Sequence, residues 1–303
     1  MTGTRMHADE IDIDTALVAR LIARQFPAWA GLRLVRVPSA GTDNAMFRLG
    51  DDLVVRLPRI PDAASGIAKE QRWLPHLAPH LPLVIPEPVG LGVPDESFEL
   101  PWSVFRWLDG SDVHSRPVGD PVAAARQLGG FVTALRGVDA TDGPRSYRGG
   151  PLLARDAGVR REIADLHADA TLDGALATAA WEHALAQPQW DAAPVWLHSD
   201  LLPGNLLARD GRLSAVIDFG ALGVGDPACD VMPAWTVFAE DSRAAFREAV
   251  AVDDATWARG RGWALCFGVG AYHYYRETNP VLASVAHRAI TETLAEFAAL
   301  TGH

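Results

Sequence analysis

The stretch from His198 to Gly220, HSDLLPGNLLARDGRLSAVIDFG, constrains this chain more than any other. Asp210-Gly211 lies between two apolar runs and is a strong β-hairpin signal, because both residues tolerate the positive φ that a tight hairpin turn demands. A two-residue turn there sets Asn205 nearly opposite Val216 and leaves Asp218 about one diagonal away. Pro203 and Gly204 interrupt any helix before the hairpin, so a short loop holds Asp200 close by. An acid, an amide and a second acid are thus expected at one end of a hairpin. Hard oxygen donors of this kind suit Mg2+, which takes one or two carboxylates and completes its shell with phosphate oxygens.

The rest of the composition sets limits. The chain has 303 residues, 49% hydrophobic and 21% charged, enough for a core in one large domain or two modest lobes. Its formal charge of -11 opposes binding to nucleic acid or anionic membrane and leaves cationic small molecules as natural partners. The two cysteines, Cys229 and Cys266, match no metal-ligand spacing and read as buried free thiols. The start, MTGTRMHADEIDID, is acidic and lacks the order of a secretion signal, and the apolar run around Trp263 to Gly270 is too short to span a bilayer. A cytoplasmic protein with no membrane partner is expected; the sequence does not set its oligomeric state.

Composition shifts once along the chain, near Leu108. Before it, Thr15 is expected to cap a helix that presents Leu17, Val18, Leu21, Ile22 and Phe26 on one face. Strands follow at 32–37, 45–49 and 53–57, separated by PSAGTDN and GDD. A helix through GIAKEQRWLPHL and strands near VGLGV and SVFRW complete a small sheet. After Leu108, alanine-rich helical patterns dominate, broken by the loop DGPRSYRGGP and by the hairpin. The reading is an α+β, two-lobed protein: residues 1–107 form a β-rich N-terminal lobe including the hinge, and residues 108–303 form a mainly helical C-terminal lobe.

His-x-Asp-x4-Asn followed by Asp-Phe-Gly is the catalytic and metal signature of kinase-type phosphoryl transfer. Here it comprises His198 and Asp200 as catalytic candidates, Asn205 and Asp218 as metal ligands, and Phe219 and Gly220. Such a site also needs a turn over the phosphates, a cation on the third strand and a helix acid to hold that cation. PSAGTDN, Arg56 and Glu70 stand in that order.

With these residues the chain resembles the aminoglycoside phosphotransferase and choline kinase-like branch of the protein-kinase-like fold over essentially its whole length. HSDLLPGNLL and VIDFGALGVGDPACD are similar to the antibiotic-kinase version in particular, which implies antibiotic resistance as a role. In that group the Gly-Asp-Pro-x-x-Asp stretch buttresses the catalytic loop, so the resemblance implies that Asp230 bonds loop backbone and is not reactive. The nucleotide loop has one glycine, Gly41, which gives Ser39, Thr42 and Asn44 a larger share of phosphate contact. The strand cation is arginine where the wider family has lysine, and Lys69, the sole lysine, lies on the following helix.

The expected reaction moves the γ-phosphoryl group of ATP or GTP to a hydroxyl, with Asp200 as base, Mg2+ on Asn205 and Asp218, and Arg56, fixed by Glu70, on the other phosphates. The purine is placed against backbone around Phe105 to Trp107. For the acceptor, Asp226, Glu240, Asp241 and Glu277 offer an acidic wall for an aminoglycoside's amino groups, while Trp235, Trp263, Tyr272, Tyr274 and Tyr275 offer a trough for a macrolide. A sugar or amino-alcohol kinase and a nucleotide-binding pseudokinase are the other readings.

Overall fold

The computed structural model describes residues 11–38 and 43–302. The first helix, α1 (Thr15–Gln25), buries Leu17, Val18, Leu21 and Ile22 along one face. Its cap is Asp14, one residue before the expected Thr15: the Asp14 carboxylate accepts from the amide of Leu17 at 2.7 Å. Strands β1 (Leu34–Arg36), β2 (Asn44–Leu49) and β3 (Leu53–Pro58) follow, then α2 (Ile67–Leu77), β4 (Pro88–Gly92) and β5 (Trp102–Arg106). They form an antiparallel sheet in the order β1-β2-β3-β5-β4.

Alternation along β3 explains how this sheet serves a site. All six β3 residues are buried, so both faces are covered. Leu53, Val55 and Leu57 join α1, Phe47, Trp102 and Val104 in a compact N-terminal core. Val54 points to the other face and joins Leu74 and Leu77 of α2, together with the core of the C-terminal lobe. With a period of two, Arg56 falls on the same face as Val54, toward α2 and the cleft.

The C-terminal lobe begins with β6 (Ser111–Asp112) and α3 (Pro121–Arg136), the latter capped by Asp120. Helices α4 (Asp156–Ala168) and α5 (Gly174–Leu185) precede β7 (Val195–Leu197), the hairpin β8 (Leu206–Arg209) and β9 (Arg212–Val216), and β10 (Gly223–Gly225), which pairs with β7. Helices α6 (Pro233–Thr236), α7 (Glu240–Val250), α8 (Asp254–Tyr275) and α9 (Pro280–Thr301) complete it, α7 packing on α3 and α9 on α8. No helix among the described residues is long and apolar enough to cross a membrane.

The hairpin turns at Asp210 and Gly211, with φ of 52° and 77°, as the turn chemistry requires. Its register differs by one residue from the regular pairing: an irregularity between Leu207 and Ala208 sets Leu206 opposite Val216. Ser214 is the extra residue, and its carbonyl accepts instead from the amide of Val84, in the connection between α2 and β4. Asn205 consequently pairs with Ile217, whose amide donates to the Asn205 carbonyl at 2.9 Å, and Asp218 follows directly.

Candidate active site

The loop after β7 is held in an uncommon shape. Ser199 has φ of 69°, a left-handed conformation that costs a residue with a side chain of order 1 kcal/mol or more. The buried carboxylate of Asp230 offsets that cost, accepting from the amides of His198 and Ser199 at 2.7 Å each. Burial holds the Asp230 carboxyl above its ordinary value, with His198 and the two amides pulling it part of the way back. Ser199 Oγ is also 2.7 Å from Ser146 Oγ.

This clamp presents Asp200 to the cleft and keeps His198 behind it. His198 is fully buried, its Nε2 bonded to the carbonyl of Ile217 at 3.0 Å and its Nδ1 accepting from the amide of Asp200 at 3.2 Å. Its ring meets Phe219 edge to face at 4.5 Å. With both nitrogens engaged by backbone, His198 cannot touch an acceptor; its expected catalytic place is corrected to that of a support for the loop and for the residues beside Asp218.

Asn205 Nδ2 donates to the Asp200 carbonyl at 2.8 Å and to Asp200 Oδ2 at 3.0 Å. Because both partners are acceptors, the amide orientation is fixed and Oδ1 is left over. Asp218, one residue past the hairpin's paired end, has φ of 65° and ψ of 69°, a second left-handed residue at the site. Its Oδ1 accepts from Arg56 Nη2 at 3.2 Å, and its side chain is 43% exposed, open to a further ligand. An amide oxygen and a part-exposed carboxylate fit Mg2+ when phosphate oxygens complete the shell. Among the described residues no group of three or more His, Cys, Asp or Glu could hold a metal without such help.

Arg56 joins the two halves of the site. Its Nη1 donates to Glu70 Oε1 at 2.7 Å, and with the Asn44 amide oxygen turned toward it, Nη2 and Nε donate to that oxygen at 3.2 and 3.1 Å. Of five guanidinium hydrogens, these contacts and the Asp218 bond use four, leaving one on Nη1. Glu70 is fully buried with Oε2 unpartnered; burial pushes its carboxyl up and Arg56 only partly restores it. Burial acts on Arg56 in the opposite sense, but Glu70 and Asp218 outweigh it and hold the guanidinium above its ordinary value. Gly66, just before α2, lies so close to Gly220 that a Cβ would sit 3.0 Å from its Cα and carbonyl oxygen, which lets α2 approach the Asp218 turn. Lys69 turns away and donates to the Leu222 carbonyl at 3.1 Å.

Other expected residues are not brought together. Asp226 receives a two-pronged bond from Arg259, at 2.8 and 3.0 Å, and caps the following turn through Ala228, so it is structural and not part of an acceptor wall. Asp241 and Glu277 are exposed, on α7 and after α8. Glu240 starts α7. Ser39, Gly41 and Thr42 lie outside the described residues. Phe105 is buried between β3 and β4, and the amides of Arg106 and Trp107 donate to the carbonyls of Glu87 and Asp52, so the amides of those two hinge residues are already engaged within the chain. Trp235 is fully buried with its indole on Glu296, which removes it from any trough. Among the described residues both cysteines are free thiols; burial pushes Cys266 up to about 11 and Cys229 well above its ordinary value.

Sequence reasoning missed Arg148. Its Nη1 donates to Asp200 Oδ1 in a short contact and to the Ser199 carbonyl at 2.9 Å. The available signal was an arginine among the glycines of SYRGGP, where a breaker-rich loop can bring a long side chain back onto the core.

The fold is that of a kinase-like phosphotransferase: an antiparallel five-stranded sheet and a mainly helical part, with Asp200, Asn205, Asp218 and Arg56 brought together where they meet. The family model described as "Phosphotransferase enzyme family" matches residues 34–263, and the chain belongs to that family. A curated relative, the uncharacterized protein YcbJ of Bacillus subtilis, is 27% identical over 64% of this chain and 66% of its own length, just under two thirds. Among solved structures, the GDP and kanamycin complex of APH(2")-IIia superposes with a TM-score of 0.72 at 20% identity, over 92% of this chain and 98% of that one. Macrolide 2'-phosphotransferase MphH from Brachybacterium faecium gives 0.57 at 26% identity, over 91% and 97%.

Proposed function

We propose that the protein transfers the γ-phosphoryl group of a purine nucleoside triphosphate to a hydroxyl of a small molecule, in a Mg2+-dependent reaction. The observation that carries this reading is the joint held by Arg56, which bonds Glu70 on one lobe and Asp218 on the other while Asp200 and Asn205 stand bonded to each other next to it.

Asp200 orients the acceptor hydroxyl and takes its proton as the oxygen bonds to the γ-phosphorus; the bond to the bridging oxygen breaks and the diphosphate leaves. Asn205 Oδ1 and the part-exposed Asp218 carboxylate would hold Mg2+, which when bound would supply charge neutralisation for the phosphates. Arg56 offers its remaining Nη1 hydrogen to the non-transferred phosphates. Most of the rate gain comes from positioning and charge, since no covalent intermediate is required. Support for a purine nucleotide includes the GDP and ADP complexes of structurally similar phosphotransferases, and both ATP and GTP remain candidate donors.

An aminoglycoside-like acceptor, and with it a resistance role, keeps the support of the relatives but loses that of Asp226, which Arg259 holds. Consumption of ATP and GTP, with and without Mg2+, against aminoglycosides, macrolides, sugars and hydroxy acids tests the proposal. Acceptor-stimulated, Mg2+-dependent turnover is expected; nucleotide binding with no turnover under any acceptor favours the pseudokinase reading.

A further inference from the structure

The wall beside Asp200 is cationic and aromatic, not acidic. Arg148, bonded to Asp200, lies over the ring of Tyr147 at 5.1 Å. Arg155 lies 5.9 Å from the same ring and 5.9 Å from that of Trp263, and its Nη2 donates to the Tyr147 carbonyl at 2.9 Å. Two guanidinium groups therefore bracket one tyrosine ring next to the base.

These groups have donors to spare. Among the described residues, Nε and Nη2 of Arg148 and Nε and Nη1 of Arg155 make no protein hydrogen bond. The indole nitrogen of Trp263, a residue only 3% exposed, is buried without a partner. The buried Trp263 indole without a partner is a costly feature, and the spare hydrogens of the part-exposed Arg148 guanidinium, bonded to Asp200, are open to a ligand that accepts. Tyr147 is exposed as a residue. Burial of its phenol raises it, Arg148 opposes that, and Asp200 and Asp43 add to it, which together push the phenol up to about 12, so it stays a neutral donor at this mouth. On α4, Asp156 is taken up by Arg160 and the Trp181 indole, and Glu162 lies against Gly270 of α8 with His273, Arg161 and Asp165 as neighbours.

We infer that the acceptor carries an anionic group, a carboxylate or phosphate, that sits across Arg148 and Arg155 and delivers a neighbouring hydroxyl to Asp200. A polycation would meet two like charges there. Planar, fork-shaped guanidinium groups match such anions in two-pronged geometry, and Tyr147 supplies a face for the carbon skeleton. This inference rests on the phosphotransferase reading above. It differs from the cationic acceptor that net charge suggested, because a charge of -11 spread over the whole chain says little about one wall.

The test uses the full chain with Mg2+ and nucleotide. Binding by calorimetry and nucleotide turnover are measured for hydroxy acids and sugar phosphates, for neutral sugars of the same skeleton, and for kanamycin. At least one anionic member should bind and turn over ten-fold or more better than its neutral counterpart. Arg155→Ala should erase most of that preference, Arg155→Lys should restore part of it, and Arg155→Glu should shift preference toward kanamycin. Thermal unfolding of each variant confirms that it folds, and Arg155→Lys alone suffices if the glutamate variant does not. The inference is overturned if no anionic member binds, or if kanamycin is preferred by wild type. If wild type neither binds nor hydrolyses nucleotide with Mg2+, the phosphotransferase reading falls, and this inference with it.

Discussion

The two walls of the cleft are built differently. On the wall proposed for the donor, Asn44, Arg56, Glu70 and Asp218 come from β2, β3, α2 and the end of the β8–β9 hairpin, so regular elements place each of them. On the wall proposed for the acceptor, Tyr147, Arg148 and Arg155 come from a loop and the short helical turn Leu152–Arg155, and Trp263 from the middle of α8. Periodicity and spacing dictate the first wall. The second depends on where irregular backbone happens to pass, which local pattern does not encode. One wall is thus suited to a ligand common to many enzymes and the other to a ligand particular to this chain.

The largest separation of the walls is expected from Asp218→Ala. On the proposed reading Asp218 holds Mg2+, so losing its carboxylate removes several kcal/mol of charge stabilisation and Mg2+-dependent turnover should fall about a thousand-fold or more. Acceptor binding in the absence of nucleotide, measured by calorimetry, should change little.

Arg56→Ala should act on stability as well as activity, because it leaves Glu70 as a buried, unpaired carboxylate; removing one partner of such a pair costs about 3–5 kcal/mol. Denaturant unfolding measures this. Arg56→Lys should lower activity and not raise it, since a single ammonium cannot reach Glu70, Asp218 and Asn44 in one geometry. A large gain with lysine would identify a decayed enzyme.

Asp230→Asn should cost about 1–3 kcal/mol, because an amide can accept only one of the two loop N–H bonds. The Asp230 carboxyl is raised in the folded state by burial. Its contribution is therefore full below the ordinary value of 3.8 and declines as pH rises through the raised folded value. Asparagine does not titrate, so the variant's deficit should shrink with rising pH in that window. A deficit that widens instead would contradict the assignment.

Asp253→Ala gives the smallest effect, with the opposite pH dependence. Asp253 caps α8, accepting from the Thr256 amide at 2.6 Å, and that bond holds its carboxyl below the ordinary value. Loss of the cap should cost about 1 kcal/mol with activity unchanged. The deficit should be present at neutral pH and vanish as pH falls below 3.8 and through the lowered folded value.

Much of the donor wall was legible because short-range rules suffice for it. The Asp210-Gly211 turn fixes which residues end the hairpin, and alternation along β3 puts Arg56 on the cleft face whatever the rest of the lobe does. The one-residue shift in register was not legible, because its cause is Val84, a residue distant in sequence that draws on Ser214. Charge type alone misled in two places. Asp226 reads like a free acid, but Arg259 on a helix 33 residues later neutralises it. His198 reads like a participant, but two backbone contacts occupy it. Arg148 was invisible for the same reason in reverse: its partner Asp200 is 52 residues away, across two helices.

Asp200→Ala provides the most direct test of this division of labour, with turnover and Mg2+-nucleotide affinity measured on the same samples. Turnover should fall by about 10²–10⁴, the share ordinarily supplied by a positioned base, while nucleotide affinity stays within a few fold. Equal loss of both would show that Asp200 belongs to the donor wall, and the two-wall account would fail.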